Sequence, residues 1–164
     1  KAGEKHIEQT KAIAHEVVDT KEWEKAVVLA DSEIAGIAEE GALAFNEICQ
    51  LPSNYYHVLD VRHGPMVLVN NKTLAIVGCS PDNVSYQKDL IKDLKAKGAV
   101  VVTVSAEDAN FWGSDYNVNI PGYKNFAVYG VPFILVPQLI TYYKALKHGV
   151  NPDEPTGLDP WIKL

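Results

Sequence analysis

The sequence is poor in the residues that build metal and redox centres. Its 164 residues hold two cysteines, Cys49 and Cys79, and no CxxC pair. That spacing gives neither a zinc motif nor a redox motif. Free cysteine is among the most buried residue types, so both are expected to be core thiols in a reducing, cytoplasmic compartment. No secretory signal pattern is visible. No cluster of histidines and acids has metal-ligand spacing, so no metal is expected. A P-loop and a GxGxxG are also lacking, so no nucleotide cofactor is expected. Positive charge is in deficit, with 15 Lys and Arg against 21 Asp and Glu and a net charge of −6. An acidic chain without a basic stripe binds nucleic acid and anionic lipid poorly. The longest apolar run, "FAVYGVPFILVP", is interrupted by Gly130, Pro132 and Pro137. It is expected to be too broken to cross a bilayer.

What remains is an ordinary globular composition, 47% hydrophobic and 22% charged. The length suits one domain with a full core. Helical spacing of apolar residues marks a helix from Ile7 to Val18. "AVVLAD", "YYHVLDV", "TLAIVGCS", "AVVVTVSAED" and "YNVNIP" read as five strands, most of them buried β-branched runs. Ser32 is expected to cap a helix running to Cys49, and Ser80 a helix with Pro81 at its first position. Gly98 and Gly149 are expected to end helices in the left-handed conformation. A last long helix is expected to follow the prolines at 132 and 137, with Lys144 and Lys147 solvated at its end. Strand–helix alternation of this kind means a parallel sheet covered on both faces. The fold class is α/β, a three-layer αβα sandwich with a five-stranded parallel sheet, flavodoxin-like or Rossmann-like. Ligands in such folds bind at the carboxyl ends of strands. Those ends are expected at Asp31-Ser32, Arg62-His63, Cys79-Ser80 and Ser105-Ala106.

The stretch "EEGALAFNEICQLPSNYYHVLDVRHGP" carries the residues best suited to chemistry. Glu40 and Glu47 are seven residues apart, two helical turns, and share a face with Leu43 and Ala44. Burial on an apolar face would raise a glutamate's pKa and make it a proton-shuttling base. A solvated edge, or an ion pair with a lysine, fits the same pattern. His63 is expected at a carboxyl strand end, where an imidazole suits acid–base work near neutrality. A backbone-bonded histidine in a turn fits equally well. His6, His15, His57 and His148 lack that context. "GCSPDN" is a weak phosphate cradle, because Pro81 removes an amide and Asp82 repels anions.

These residues carry a family resemblance. "EEGALAFNE", then "HGP", a strand–Ser–helix unit and a late "VPxxLxxYYxALxxGxNPDxPxGL" segment resemble a second SIS (sugar isomerase) domain. The resemblance spans Trp23 to Leu158. It is to the isomerase half of glucosamine-6-phosphate synthase, and to related ketose/aldose isomerases and fructosamine-6-phosphate deglycases. It implies the SIS fold, with residues 1–22 as a linker helix, 23–150 as the SIS domain and 151–164 as a tail. It implies Glu47 as the base moving a proton between C1 and C2 of a sugar phosphate. His63 then assists ring opening in the neighbouring subunit, which requires a homodimer or higher homo-oligomer. Glu40, Ser32, Arg62 and Lys163 take supporting or substrate-binding positions.

Two departures bear on the reaction. Ala44 and Asn46 replace the lysines of the synthase's "EGALKLKE", and Pro160 stands near the position of its tail lysine, with Lys163 displaced. Nitrogen transfer is therefore not expected, and an isomerase or a deglycase/deaminase type is. The family's SxSGET phosphate loop is absent. With a start other than methionine, this implies the C-terminal half of a two-SIS-domain protein, inactive by itself and partnered by its upstream domain. A non-catalytic sugar-phosphate regulator and a dimerisation domain are the alternatives. Keeping both Glu47 and His63 favours the enzyme, because a sensor needs no base.

Overall fold

The computed structural model describes residues 2–120, 125–154 and 157. Runs of Val, Ile, Leu and Ala at β1 (Lys25–Leu29), β3 (Thr73–Gly78) and β4 (Val100–Ser105) form the sheet's centre. β3 and β4 are buried along their whole length, as strands covered on both faces must be. β2 (Ser53–Tyr56) and β5 (Tyr116–Asn119) are shorter, more exposed edges. All neighbours pair parallel in the order β2-β1-β3-β4-β5. This is the flavodoxin-like order, with its topological switch point at the carboxyl ends of β1 and β3.

The described residues form the α-helices α1 (Ala2–Thr20), α2 (Ala35–Glu47), α3 (Val84–Ala96), α4 (Ala109–Trp112) and α5 (Gly130–Lys147). Ala26, Val28, Leu74 and Ile76 face one core with Val17, Phe45, Phe133 and Ile140 from α1, α2 and α5. Val27, Leu29, Ala75 and Val77 face the other with Leu90, Ile91 and Leu94 of α3. The result is the expected three-layer αβα sandwich. The segment read as a linker, residues 1–22, packs into the first core through Ala14, Val17 and Val18. Its His6 Nε2 lies 3.1 Å from the Pro132 carbonyl, and His15 stacks on Tyr143 at 3.7 Å. Gly98 (φ +87°) and Gly149 (φ +71°) end their helices in the left-handed region as expected.

Several local expectations are corrected. Ser32 does not cap α2. It opens a 3-10 turn, Ser32–Ile34, with φ 55°, and no side chain caps either helix start. Ser80 does not cap α3, which begins at Val84 behind Asn83. Instead the Ser80 hydroxyl closes a tight turn, accepting from Asp82 N at 3.1 Å. β2 stops at Tyr56, so His63 is not at a strand end. The cause is Asp31, whose carboxylate takes the Val58 N–H at 3.0 Å and ends the β1–β2 ladder. The chain then turns through a 3-10 helix, Asp60–His63, which adds Val61 to the α3-side core.

The last helix does not wait for its prolines. Pro132 is the third residue of α5, where a backbone N–H has no helical partner anyway. Pro137 lies inside the helix and is buried. By length and composition alone, Phe126–Lys147 would suffice to cross a bilayer, so the apolar run is not too broken. In this fold its inner face covers the sheet. Lys144 is not solvated but fully buried. Its Nζ lies 3.3 Å from Glu22 Oε2 and 4.3 Å from the centre of the Trp23 ring. A buried ammonium needs such partners to offset its lost hydration. Lys147 and then Lys144 hold the Glu22 carboxyl below its usual pKa range.

α2 and α5 touch closely because Gly41 faces Pro137. A Cβ at Gly41 would stand 2.8 Å from Pro137 Cγ. Gly41→Ala should therefore lower stability by about 1–2 kcal/mol, despite roughly 1 kcal/mol of better helix propensity. Urea unfolding measures this, and an unchanged or higher midpoint would refute the contact.

Candidate active site

The outer face of α2 presents the acids. Ala38, Ala42 and Phe45 turn inward, while Glu40, Leu43 and Glu47 are exposed. Glu40 and Glu47 thus share a face about 10 Å apart along the axis. That face is solvent-facing in this chain, so of the two readings of these glutamates the exposed one holds. Ala44, expected beside them, is buried. Asn46 fixes the end of the helix. Its Oδ1 accepts from Ser53 N at 3.0 Å, and its Nδ2 lies 3.4 Å from Ser53 O. This clamp ties the turn carrying Glu47 to edge strand β2.

His63 is exposed at the end of the 3-10 helix on the α3 side. Glu47 and His63 therefore belong to opposite layers of the sandwich, on either side of β2. The structure does not bring them together within one chain. Arg62 is turned toward α3, where its guanidinium is paired with Asp93. Ser32 is exposed at the carboxyl end of β1. Lys163 lies outside the described residues, as does Pro160.

A cleft of about 170 Å³ opens at the carboxyl ends of β3 and β4, between Cys79, Ser80, Ser105, Glu107, Trp112 and Tyr129. Its loop is not an anion cradle. The Ser80 N–H is taken by Gln87 Oε1 at 3.0 Å and the Asp82 N–H by Ser80 Oγ. Pro81 has no N–H to give. Trp112 Nε1 donates to Ser105 Oγ at 2.8 Å and closes the cleft floor. No group of three metal-ligating side chains occurs among the described residues.

One constellation was hidden in the sequence. His57 follows β2 directly, and its Nδ1 lies 3.0 Å from Asp31 Oδ1 and 3.2 Å from Tyr55 Oη. The Tyr55 hydroxyl donates to the Ala30 carbonyl at 3.0 Å. Burial, then the carboxylates of Asp31, Glu39 and Asp60, push the Tyr55 phenol up and keep it a donor. Reading β2 through residue 61 placed His57 inside a strand. The signal that could have found it is Asp31 directly after "VVLA", one polar side chain positioned to end a neighbouring strand.

The chain belongs to the SIS domain family, whose profile matches residues 19–146. It is 32% identical over 135 residues to a D-galactosamine-6-phosphate deaminase of Shewanella sp., covering 80% of this chain and 33% of that protein. It is 30% identical over 159 residues to the isomerizing glutamine–fructose-6-phosphate aminotransferase of Escherichia coli O6:H1, covering 94% of this chain and 26% of that one. The crystal structure of a glucosamine-6-phosphate deaminase from Thermotoga maritima matches with TM-score 0.79 and 28% identity. That match covers 94% of this chain and 45% of the deaminase. The chain thus spans a quarter to under half of these relatives' lengths. The C-terminal domain of a Francisella tularensis glucosamine-fructose-6-phosphate aminotransferase shares the fold, with TM-score 0.76 at 21% identity.

Both cysteines are free and buried. Burial pushes the Cys49 thiol up to about 11 from 9.0, and pushes Cys79 up as well. Folding thus favours the protonated thiol. That contribution is complete below the ordinary thiol pKa and is lost as pH rises from 9.0 toward about 11. Ellman's reagent at about pH 8 should label neither thiol in the native protein and both in urea. Fast native labelling would overturn the burial account. Asn46→Ala should cost about 1 kcal/mol and speed hydrogen exchange at the Ser53 amide. Unchanged protection at Ser53 would mean the clamp does not hold β2.

Proposed function

We propose that the chain is a phosphosugar isomerase domain of the aldose/ketose isomerase or deglycase/deaminase type, transferring a proton between C1 and C2 of a sugar phosphate. The observation that carries this is the exposed acid face of α2, Glu40–Leu43–Glu47, in a chain of the SIS family. A base must reach substrate, and Glu47 is exposed on the helix turn that the Asn46–Ser53 clamp ties to β2. Glu47 acts as the base, with Glu40 in support. His63 opens the ring in a neighbouring subunit. Its position across β2 from Glu47 is compatible with that division and requires a homodimer or higher oligomer. Ser32, Arg62 and Lys163 contribute to substrate binding, Arg62 after exchange of its Asp93 partner. The loop at 80–82 spends its amides internally, which supports an anchor for the phosphate elsewhere, in an upstream SIS domain of the same chain. A cytoplasmic location and no cofactor belong to the same reading.

Aldose–ketose interconversion combines a phosphate anchor, ring opening and a base. Positioning by the anchor can contribute roughly 7–11 kcal/mol of barrier reduction, so the domain alone should be close to inactive. In the full-length protein, a panel of hexose, hexosamine and fructosamine 6-phosphates should yield a substrate. Glu47→Gln should lower its turnover by about 10²–10⁴-fold. Full turnover by that variant would remove Glu47 from the mechanism. The regulatory alternative draws on the self-satisfied loop at 80–82, and tight sugar-phosphate binding without turnover of any panel member would favour it.

A further inference from the structure

We propose that the cleft at the carboxyl ends of β3 and β4 binds a small organic ammonium ion, with the Glu107 carboxylate as its anionic partner and Phe111 and Trp112 as its aromatic wall. None of the lining residues comes from α2, so the site is separate from the acid face of Glu40 and Glu47 and does not rest on the sugar-phosphate reading. Its volume of about 170 Å³ equals about six waters at roughly 30 Å³ each, which suits one small molecule. The floor is fixed by buried polar groups. Trp112 Nε1–H donates to Ser105 Oγ at 2.8 Å, and that oxygen lies 2.9 Å from both Asn117 Oδ1 and the Glu107 carbonyl. Asn117 Nδ2 donates to the same carbonyl at 2.7 Å, which holds the backbone that carries the carboxylate. Ser105 and Trp112 are buried, and a hydrogen-bonded network at that depth favours one arrangement of the side chains.

Charge defines what the cleft takes. Its lining holds one carboxylate, Glu107, and no lysine, arginine or histidine. Glu107 is exposed, and its carboxylate has no hydrogen bond or ion pair among the described residues. The neighbouring Asp108 is already committed, capping α4 by accepting from Phe111 N at 2.8 Å. The amides that could hold an anion are committed as well, Ser80 N to Gln87 Oε1 and Asp82 N to Ser80 Oγ. An anion therefore meets a free carboxylate and no free donor on that loop. The aromatic wall, by contrast, already attracts an ammonium. Lys88 Nζ, reaching over from α3, lies 3.5 Å from the centre of the Phe111 ring, and Phe111 meets Trp112 edge to face at 5.1 Å. The negative face of an aromatic ring draws a cation in this way. A ligand ammonium beside Glu107 would pair its charge and lay its carbon skeleton on rings that are otherwise partly open to water. A neutral ligand of the same shape would leave Glu107 without a partner.

The test uses the full-length protein labelled with fluorotryptophan, with the fluorine NMR signal of Trp112 assigned by its loss in Trp112→Phe. Ethanolamine and choline should shift that signal saturably, while ethylene glycol and inorganic phosphate should leave it in place. Glu107→Gln should weaken ethanolamine binding by about 10–100-fold, the size of one hydrogen bond to a charged group. An unmoved Trp23 signal in that variant would show that the fold is intact. Lys88→Met should tighten amine binding, because it takes a like charge away from Phe111, and it would weaken an anion. No saturable shift with either amine would overturn the site. So would equal affinity for ethylene glycol, or full ethanolamine affinity in Glu107→Gln. Phosphate that displaces ethanolamine would make the cleft an anion site and overturn the proposal too. A Glu107-dependent shift upholds it whether or not any sugar phosphate is turned over.

Discussion

Asp31 stands where β1 ends, and its carboxylate takes the Val58 N–H that a longer β1–β2 ladder would have used. That one bond limits β2 to four residues, Ser53–Tyr56. It also sends the chain around the sheet edge. Residues 57 to 72 descend along the α3 side, burying Val58, Val61 and Val69 in the second core. The consequence for chemistry is spatial. The glutamates of α2 and the histidine of "RHGP" come from one short stretch of sequence, yet they end in different layers. A strand carried on to residue 61 would have kept the histidine near the carboxyl edge.

Much of the fold was legible because burial on both faces leaves a plain mark. β1, β3 and β4 are rich in Val, Ile, Leu and Ala, and runs of five or six residues are too short for ordinary helices. Gly98 and Gly149 marked helix ends because a left-handed residue has few substitutes. The misreadings share a cause: side chains hydrogen-bond to backbone far away in sequence. "YYHVLDV" has strand propensity throughout, and only Asp31, more than twenty residues earlier, stops it. Ser80 looked like a cap, but Gln87 organises that loop from the next helix turn. Lys144 looked solvated, since nothing local announces that Glu22 and Trp23 will cover it. In the site, the shared face of Glu40 and Glu47 was readable from helical spacing. The pairing of His57 with Asp31 was not, because a wrong strand end concealed it.

The helical layer depends on small residues at α5. Gly41 lets α2 approach Pro137, and a Cβ at Gly130 would stand 2.4 Å from Ile37 Cδ1, so that side chain would have to move. Close approach matters here because Pro137 frees a carbonyl inside the helix and weakens it locally. Packing against α1 and α2 supplies the stiffness that the hydrogen-bond ladder lacks. Outward, Val131, Tyr142 and Leu146 remain exposed on the same helix. A helix this apolar on both sides is apolar enough to meet a bilayer test, although inside this fold its inner half is sheet cover.

The departures from the "EGALKLKE" pattern gain a physical reading from the same packing. At position 44 the structure has a buried methyl, where an ammonium would lose its hydration. At position 46 the side chain is a short amide whose two ends bind one residue of β2, Ser53. A lysine there has donors but no acceptor, so it could not take the Ser53 N–H. The sequence therefore exchanges a mobile positive charge next to Glu47 for a rigid neutral clamp. The clamp ties the helix turn next to Glu47 to β2. The proton transfer proposed for Glu47 calls on neither lysine.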